Sequence, residues 1–201
     1  MVLEGIDPVL IERAARLNGS PVGPLAAIDE ISQETAYKNS QQMKVDTASR
    51  GAAFPENAAA VLVARMVEEF GRRGKAHGGG YYEYPEDGRK FIWPGLKEHF
   101  APNGYRDVPL EDIRDRLSFC QSIEAVRAME EGVIERVADG NIGSIFGIGF
   151  APNTGGVFQF INAYGVQEFV DRSEALAAKY GPQFSPPALL MEKARSGELF
   201  I

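Results

Sequence analysis

The sequence predicts an all-α protein built from two repeated helical units, with a small Tyr-rich extended lobe between them. Three observations lead there. Apolar residues recur every three or four positions through most of the 201 residues, the spacing of one helix face. These stretches are closed by Gly, Asn-Gly or Gly-Pro stops. A turn in which Pro follows Gly closely, ahead of an apolar helix, occurs twice, at Gly19-Ser20-Pro21 and, with one residue more, at Gly149-Phe150-Ala151-Pro152.

Asp7-Pro8 supplies an N-cap and then Pro at the first helical position, where its missing N–H costs nothing. Val9, Leu10, Ala14 and Leu17 form the stripe of this first helix, and Asn18-Gly19 stops it. After the link Gly19 to Pro24, Leu25, Ile28 and Ile31 open a second helix, expected to run on through Gln33 to Thr47. A third begins near Pro55, carries Ala58, Val61, Leu62, Met66 and Phe70, and ends at Gly71 and Gly74. His77-Gly78-Gly79-Gly80, Tyr81-Tyr82-Glu83-Tyr84, the Asp87-Gly88 turn and Phe91-Ile92-Trp93 read as a small β-hairpin or extended lobe. Pro94 to Asp107 reads as a linker.

A long helix follows from Pro109 to Glu131, with Leu110, Ile113, Leu117, Cys120, Ile123, Val126 and Met129 on one face. Val133 to Phe146 precedes the Gly-rich stretch Gly147 to Gly156. Three more helical stretches complete the chain: Val157 to Tyr164, Val166 to Tyr180, and a last one capped by Ser185-Pro186. The expected organisation is a first helical repeat with its lobe over residues 1–95, a linker over 96–107, and a second helical repeat over 108–201.

Composition excludes several functions. With 44% hydrophobic and 24% charged residues the chain has the profile of a soluble globular core. Lys plus Arg is 21 and Asp plus Glu is 28, a net charge of −7, which argues against nucleic acid as a partner. One Cys, Cys120, permits no internal disulfide and no thiolate zinc site. Two His, His77 and His99, are too few for a His-rich metal centre. No apolar run reaches the roughly 18 to 20 residues that span a bilayer. Met1 to Asp7 lacks the features of a signal peptide, so a cytoplasmic chain is expected.

The internal repeat runs deeper than its turns. Glu4-Gly5-Ile6 leads to Gly19 through Asp29, and Glu131-Gly132-Val133 leads to Gly149 through Asn162. Duplicated helical units commonly bury together what neither buries alone. A long helix stands ahead of Glu131-Gly132, whereas only Met1, Val2 and Leu3 stand ahead of Glu4-Gly5. The expectation is that the first unit lacks its opening helix, as though cut from a longer protein.

Three stretches resemble the C-terminal half of the NAD-dependent 3-hydroxyacyl-CoA dehydrogenases, of the type found in the multifunctional α-subunit of the fatty-acid β-oxidation complex. One is Glu4 to Pro8 with Pro21 to Leu25. The next is Gly71 to Lys75 with Gly78 to Tyr84 and Trp93 to Leu96. The third, the most specific, is Glu130 to Val133 with Ala138 to Phe150 and Gly155-Gly156. The resemblance implies the family's C-terminal helical fold (6-phosphogluconate dehydrogenase C-terminal-like), duplicated. It also implies a parent that oxidises (3S)-3-hydroxyacyl-CoA with NAD, a homo-oligomer, and a thiolase subunit as partner. In that family a Rossmann domain carries the catalytic His-Glu pair, and the Asn of an opening Asn-Arg helix reaches the active site. Here Asp115-Arg116 stands at the corresponding place of the second half.

No catalytic, cofactor-binding or metal-binding residue is therefore expected on this chain. Gly147, Gly149 and Pro152 break the Gly-x-Gly-x-x-Gly pattern of a pyrophosphate loop, and close helix approach explains the glycines instead. The resemblance implies an acyl-CoA contact at Phe146, Gly149 and Pro152, with core packing of Phe146 as the other reading. His77, Lys75 and Arg73 read as solvated, Cys120 as an inert buried thiol, and Asp29 and Asn162 as caps on backbone. A stand-alone helical scaffold, or an acyl-CoA-binding or dimerisation module, is the alternative function.

Overall fold

A computed structural model of the chain describes residues 1–54 and 57–201. Among these are ten α-helices and one two-stranded sheet, so the all-α class holds. The chain forms two compact units. The first comprises Met1–Arg13 and Gly23–Val108, the second Ala14–Val22 and Pro109–Ile201.

Helix α1 (Pro8–Asn18) opens where expected, the Asp7 carboxylate accepting from the Val9 N–H at 2.9 Å. Its buried residues are Pro8, Ile11, Ala14 and Ala15, whereas Val9 and Leu17 are exposed. The single helix expected from Leu25 to Thr47 is two, α2 (Pro24–Ile31) and α3 (Gln33–Ser49). They part at Ser32, whose φ of 104° makes it the one non-glycine with positive φ among the described residues. Such a conformation costs on the order of 1–3 kcal/mol and persists only where surroundings fix it. Here the Ser32 hydroxyl accepts from the Thr35 N–H and donates to the Arg73 carbonyl. The bend keeps Asp29 and Gln33 both buried, side chain bonded to side chain at 2.7 Å.

Helix α4 (Ala58–Glu68) is capped by Asn57 and buries Leu62, Val63 and Met66; the start expected near Pro55 lies outside the described residues. The lobe is the expected hairpin, β1 (Tyr82–Glu83) antiparallel to β2 (Phe91–Ile92) with Tyr82 opposite Ile92. The stretch read as a linker contains a helix, α5 (Gly95–Phe100), whose Leu96 is buried. Short helices bounded by Pro and Gly carry too few turns to show a period.

The second unit holds α6 (Leu110–Glu130), α7 (Val137–Ile148), α8 (Val157–Tyr164), α9 (Val166–Tyr180) and α10 (Ala188–Ser196). Its core is aromatic: Phe119 stacks on Phe169 with centroids 4.0 Å apart, and Phe158 on Phe200 at 5.1 Å. On α6 the buried face takes Ile113, Phe119, Ile123 and Val126 but also Asp112, Arg116, Ser118 and Ser122; Leu110, Leu117, Cys120 and Met129 are only half-buried. The stripe is thus rotated from the expected one because a charge network occupies part of the inward face.

The repeat is visible in the backbone. Ser32 (φ 104°, ψ 120°) between α2 and α3 has the conformation of Gly165 (φ 95°, ψ 120°) between α8 and α9. One turn earlier stand the matched Asp29 and Asn162. Asp29 accepts from the N–H groups of Tyr81 and Tyr82 (2.8 and 2.9 Å) and from the Tyr84 hydroxyl (3.1 Å). Asn162 accepts from the Phe200 N–H (3.0 Å) and donates to the Phe200 carbonyl (2.8 Å). In both units one polar side chain pins the segment returning after the last helix of its unit's repeat.

Candidate functional site

The Gly-rich stretch is organised around α7. Asn141 accepts from the N–H groups of Phe158 and Gln159, and the Ser144 hydroxyl accepts from the Val157 N–H, so two α7 side chains satisfy the first turn of α8. A Cβ at Gly140 would meet the Phe158 ring at 2.3 Å, and one at Gly156 would meet the Asn141 backbone at 2.5 Å. Gly140, Asn141 and Ser144 thereby use up the inward face of α7. Phe146 is left pointing outward, 86% exposed, with Ile142 one turn earlier also exposed. The core-packing reading of Phe146 is overturned, because the face it would need is taken by small and polar residues that seat α8.

Gly149 (φ 70°) closes α7 with its N–H on the Ser144 carbonyl, and Pro152 begins the exposed 3-10 turn Pro152–Thr154. The three candidate residues follow one another along the chain, from an exposed helix face to a hydrogen-bonded turn. They present one aromatic ring and no ionisable group. Such a surface offers apolar contact and carries no titratable side chain.

Beside them lies a groove of about 730 Å³ that sequence reasoning missed. Cys120, Ala125 and Ala128 of α6 and Gly143 and Ile148 of α7 line it, together with Ile134 of the turn between the helices. Phe146, Gly149 and Pro152 do not. Cys120 therefore borders open space, although burial pushes its thiol pKa up and keeps it neutral.

Other titratable groups are structural. Asp112, buried at the start of α6, accepts from Arg172 (2.7 Å), Lys179 (2.6 Å) and the Tyr180 hydroxyl. Burial pushes its pKa up, but the hydrogen bonds from Lys179, Tyr180 and Arg172 outweigh burial and hold it well below the usual carboxylate range. Asp115 accepts from the same Arg172 at 2.7 Å, and burial nevertheless raises its pKa. Asp115 is thus engaged in an ion pair within the unit. His77, without a carboxylate nearby in sequence, meets Glu34 at 3.3 Å across the first unit; its side chain is 40% exposed. Among the described residues no three His, Cys, Asp or Glu are grouped to hold a metal ion, and no helix is long and apolar enough to cross a membrane.

Comparison with known proteins agrees with this architecture. Residues 1–84 match the family model described as 3-hydroxyacyl-CoA dehydrogenase, C-terminal domain. The structure is similar to that of 3-hydroxybutyryl-CoA dehydrogenase from Escherichia coli, with a TM-score of 0.67 at 18% sequence identity. The match covers 96% of this chain and 56% of that one, so the chain spans little over half the length of the protein it resembles. The family model bears out the resemblance read from the sequence over the first 84 residues, and the structural match extends the likeness of fold over nearly the whole chain.

Proposed function

We propose that this chain is the C-terminal all-α part of a 3-hydroxyacyl-CoA dehydrogenase and supplies one wall of its acyl-CoA site. The observation that carries the reading is Phe146: a large apolar ring held outward on α7, next to the Gly149–Pro152 turn, with no packing role of its own. The parent reaction is oxidation of (3S)-3-hydroxyacyl-CoA to 3-oxoacyl-CoA, the step of fatty-acid β-oxidation in which carbon 3 loses hydride to NAD and its hydroxyl loses a proton to a base.

The described residues do not fit NAD. Their one sheet is a two-stranded antiparallel hairpin, and no strand feeds a glycine turn at a helix N-terminus. The contribution of this chain is therefore binding and orientation. Phe146 gives apolar contact without a hydrogen bond, and Gly149 and Pro152 hold the turn beside it. Exposed Ile142 favours a further role in subunit contacts, within a homo-oligomer or against a thiolase subunit of a cytoplasmic complex.

Phe146→Ala tests the assignment. Phe146 is exposed, so its loss is expected to change folding stability by less than about 0.5 kcal/mol. In the chain fused to a cofactor domain, KM for the acyl-CoA rises while kcat stays within about twofold, because a wall contact binds ground and transition states alike. An unchanged KM removes Phe146 from the site.

A further inference from the structure

We propose that the groove between α6 and α7 receives an amphipathic helix from another polypeptide, with small and branched residues on its buried face and Lys or Arg along its flanks. Three features of the groove select that occupant.

The floor is apolar and its polar neighbours are already satisfied. The Gln121 amide and the Cys120 thiol both donate to the Leu117 carbonyl, and the Ser144 hydroxyl bonds Asn141 and Val157. Nothing on the floor asks for a polar ligand group.

The wall is kept bare at Gly143. This residue lies inside α7 with ordinary helical φ, and a Cβ there would meet nothing within 4 Å. Counting back from the glycine that closes each helix, Arg13 holds the matched place in α1, so the helix itself does not require glycine there. A helix-interior glycine costs about 1 kcal/mol against alanine, and no contact within the chain accounts for it. Facing it, α6 offers Ala125 and Ala128. Small residues on both walls let a second backbone approach closely.

The rim is acidic. Glu124, Glu135 and Asp139 line the groove, and no Lys or Arg does. Arg127 meets Glu124 at 3.1 Å and Arg136 meets Asp139 at 3.8 Å, but these carboxylates are 72% and 62% exposed and such pairs are weak. Carboxylates along an apolar trough suit a helix with cationic flanks. They disfavour CoA phosphates, a fatty-acid carboxylate, or the same acid-rimmed groove of a second copy set against it.

Two synthetic helical peptides sharing one Leu/Ala face, one flanked by Lys and one by Glu, titrated onto the full chain by fluorescence anisotropy, test the proposal. The Lys peptide is expected to bind at least about tenfold tighter than the Glu peptide, and to weaken as salt rises. Gly143→Leu, which fills the trough with a better helix former, weakens it at least about tenfold while the helical circular dichroism and melting temperature are retained. Glu135→Lys, which leaves the trough open, weakens the Lys peptide alone. Equal binding of both peptides, no saturable binding, or binding unchanged by Gly143→Leu overturns the proposal. So does either rival occupant: decanol binding that Gly143→Leu abolishes when neither peptide binds, or self-association that the same substitution dissolves.

Discussion

Replacing Asp29 by Ala is expected to unfold the first unit at far lower denaturant than the parent chain requires. Asp29 is 1% exposed and accepts four hydrogen bonds: from the Tyr81 and Tyr82 N–H groups, the Gln33 side-chain amide and the Tyr84 hydroxyl. Truncation strands those donors in the interior, and each unsatisfied buried group costs about 1–3 kcal/mol. A loss of about 4 kcal/mol is a large share of the 5–15 kcal/mol that holds a typical domain together. Asn162→Ala, which frees the Phe200 N–H and carbonyl and an exposed contact to the Gln159 side chain, should cost about half as much. Gly80→Ala should resemble Asp29→Ala, since its Cβ would fall 2.0 Å from the Asp29 carboxylate. Urea unfolding of the three variants checks the order, and an Asp29→Ala midpoint near that of the parent chain contradicts it.

The Asp112 network predicts the second large effect, and it depends on pH. Asp112→Asn removes the charge that Arg172 and Lys179 share and is expected to cost about 3 kcal/mol at neutral pH. Because the folded-state pKa is depressed, the carboxylate's contribution is complete above the unfolded value of about 4 and fades as pH falls below it. The gap between Asp112→Asn and the parent chain in urea midpoint should therefore narrow from pH 7 to pH 3. Asp115 behaves oppositely: burial raises its pKa, so ionised Asp115 opposes folding at neutral pH, and Asp115→Asn should be the milder change. Equal gaps at both pH values would show that shape, not charge, is what Asp112 provides.

Much of this architecture was legible before any coordinates. The Asp7-Pro8 cap placed the start of α1, the apolar period placed α6, and the Asp87-Gly88 turn placed the hairpin. The repeat exposed Asp29 and Asn162 as equivalent positions, which the hydrogen bonds to returning backbone explain. What was not legible shares a cause. Periodicity assigns apolar residues inward and charges outward, and both rules fail where a polar group has a distant partner. Asp112 faces inward because Arg172 and Lys179, far along the chain, meet it there. Phe146 faces outward because Gly140, Asn141 and Ser144 hold the inward side of α7 for α8. Ser32 breaks a helix with no Gly or Pro to announce it. The groove escaped notice because its signal is a missing side chain at Gly143, a residue that reads from sequence as one more member of a glycine-rich stretch.

The proposal that this chain is the acyl-CoA-binding helical part of a dehydrogenase whose catalytic pair and cofactor site lie on another domain has one direct test. The repurified chain is assayed with NAD and 3-hydroxyacyl-CoA, alone and then fused to a Rossmann domain of the matched family. Absence of the base alone costs a factor of about 10² to 10⁴, and absence of cofactor binding removes what remains. The account predicts no NADH formation by the chain alone and turnover by the fusion that falls when Phe146 is replaced at sub-saturating substrate. NADH formation that scales with the concentration of the isolated chain would contradict it.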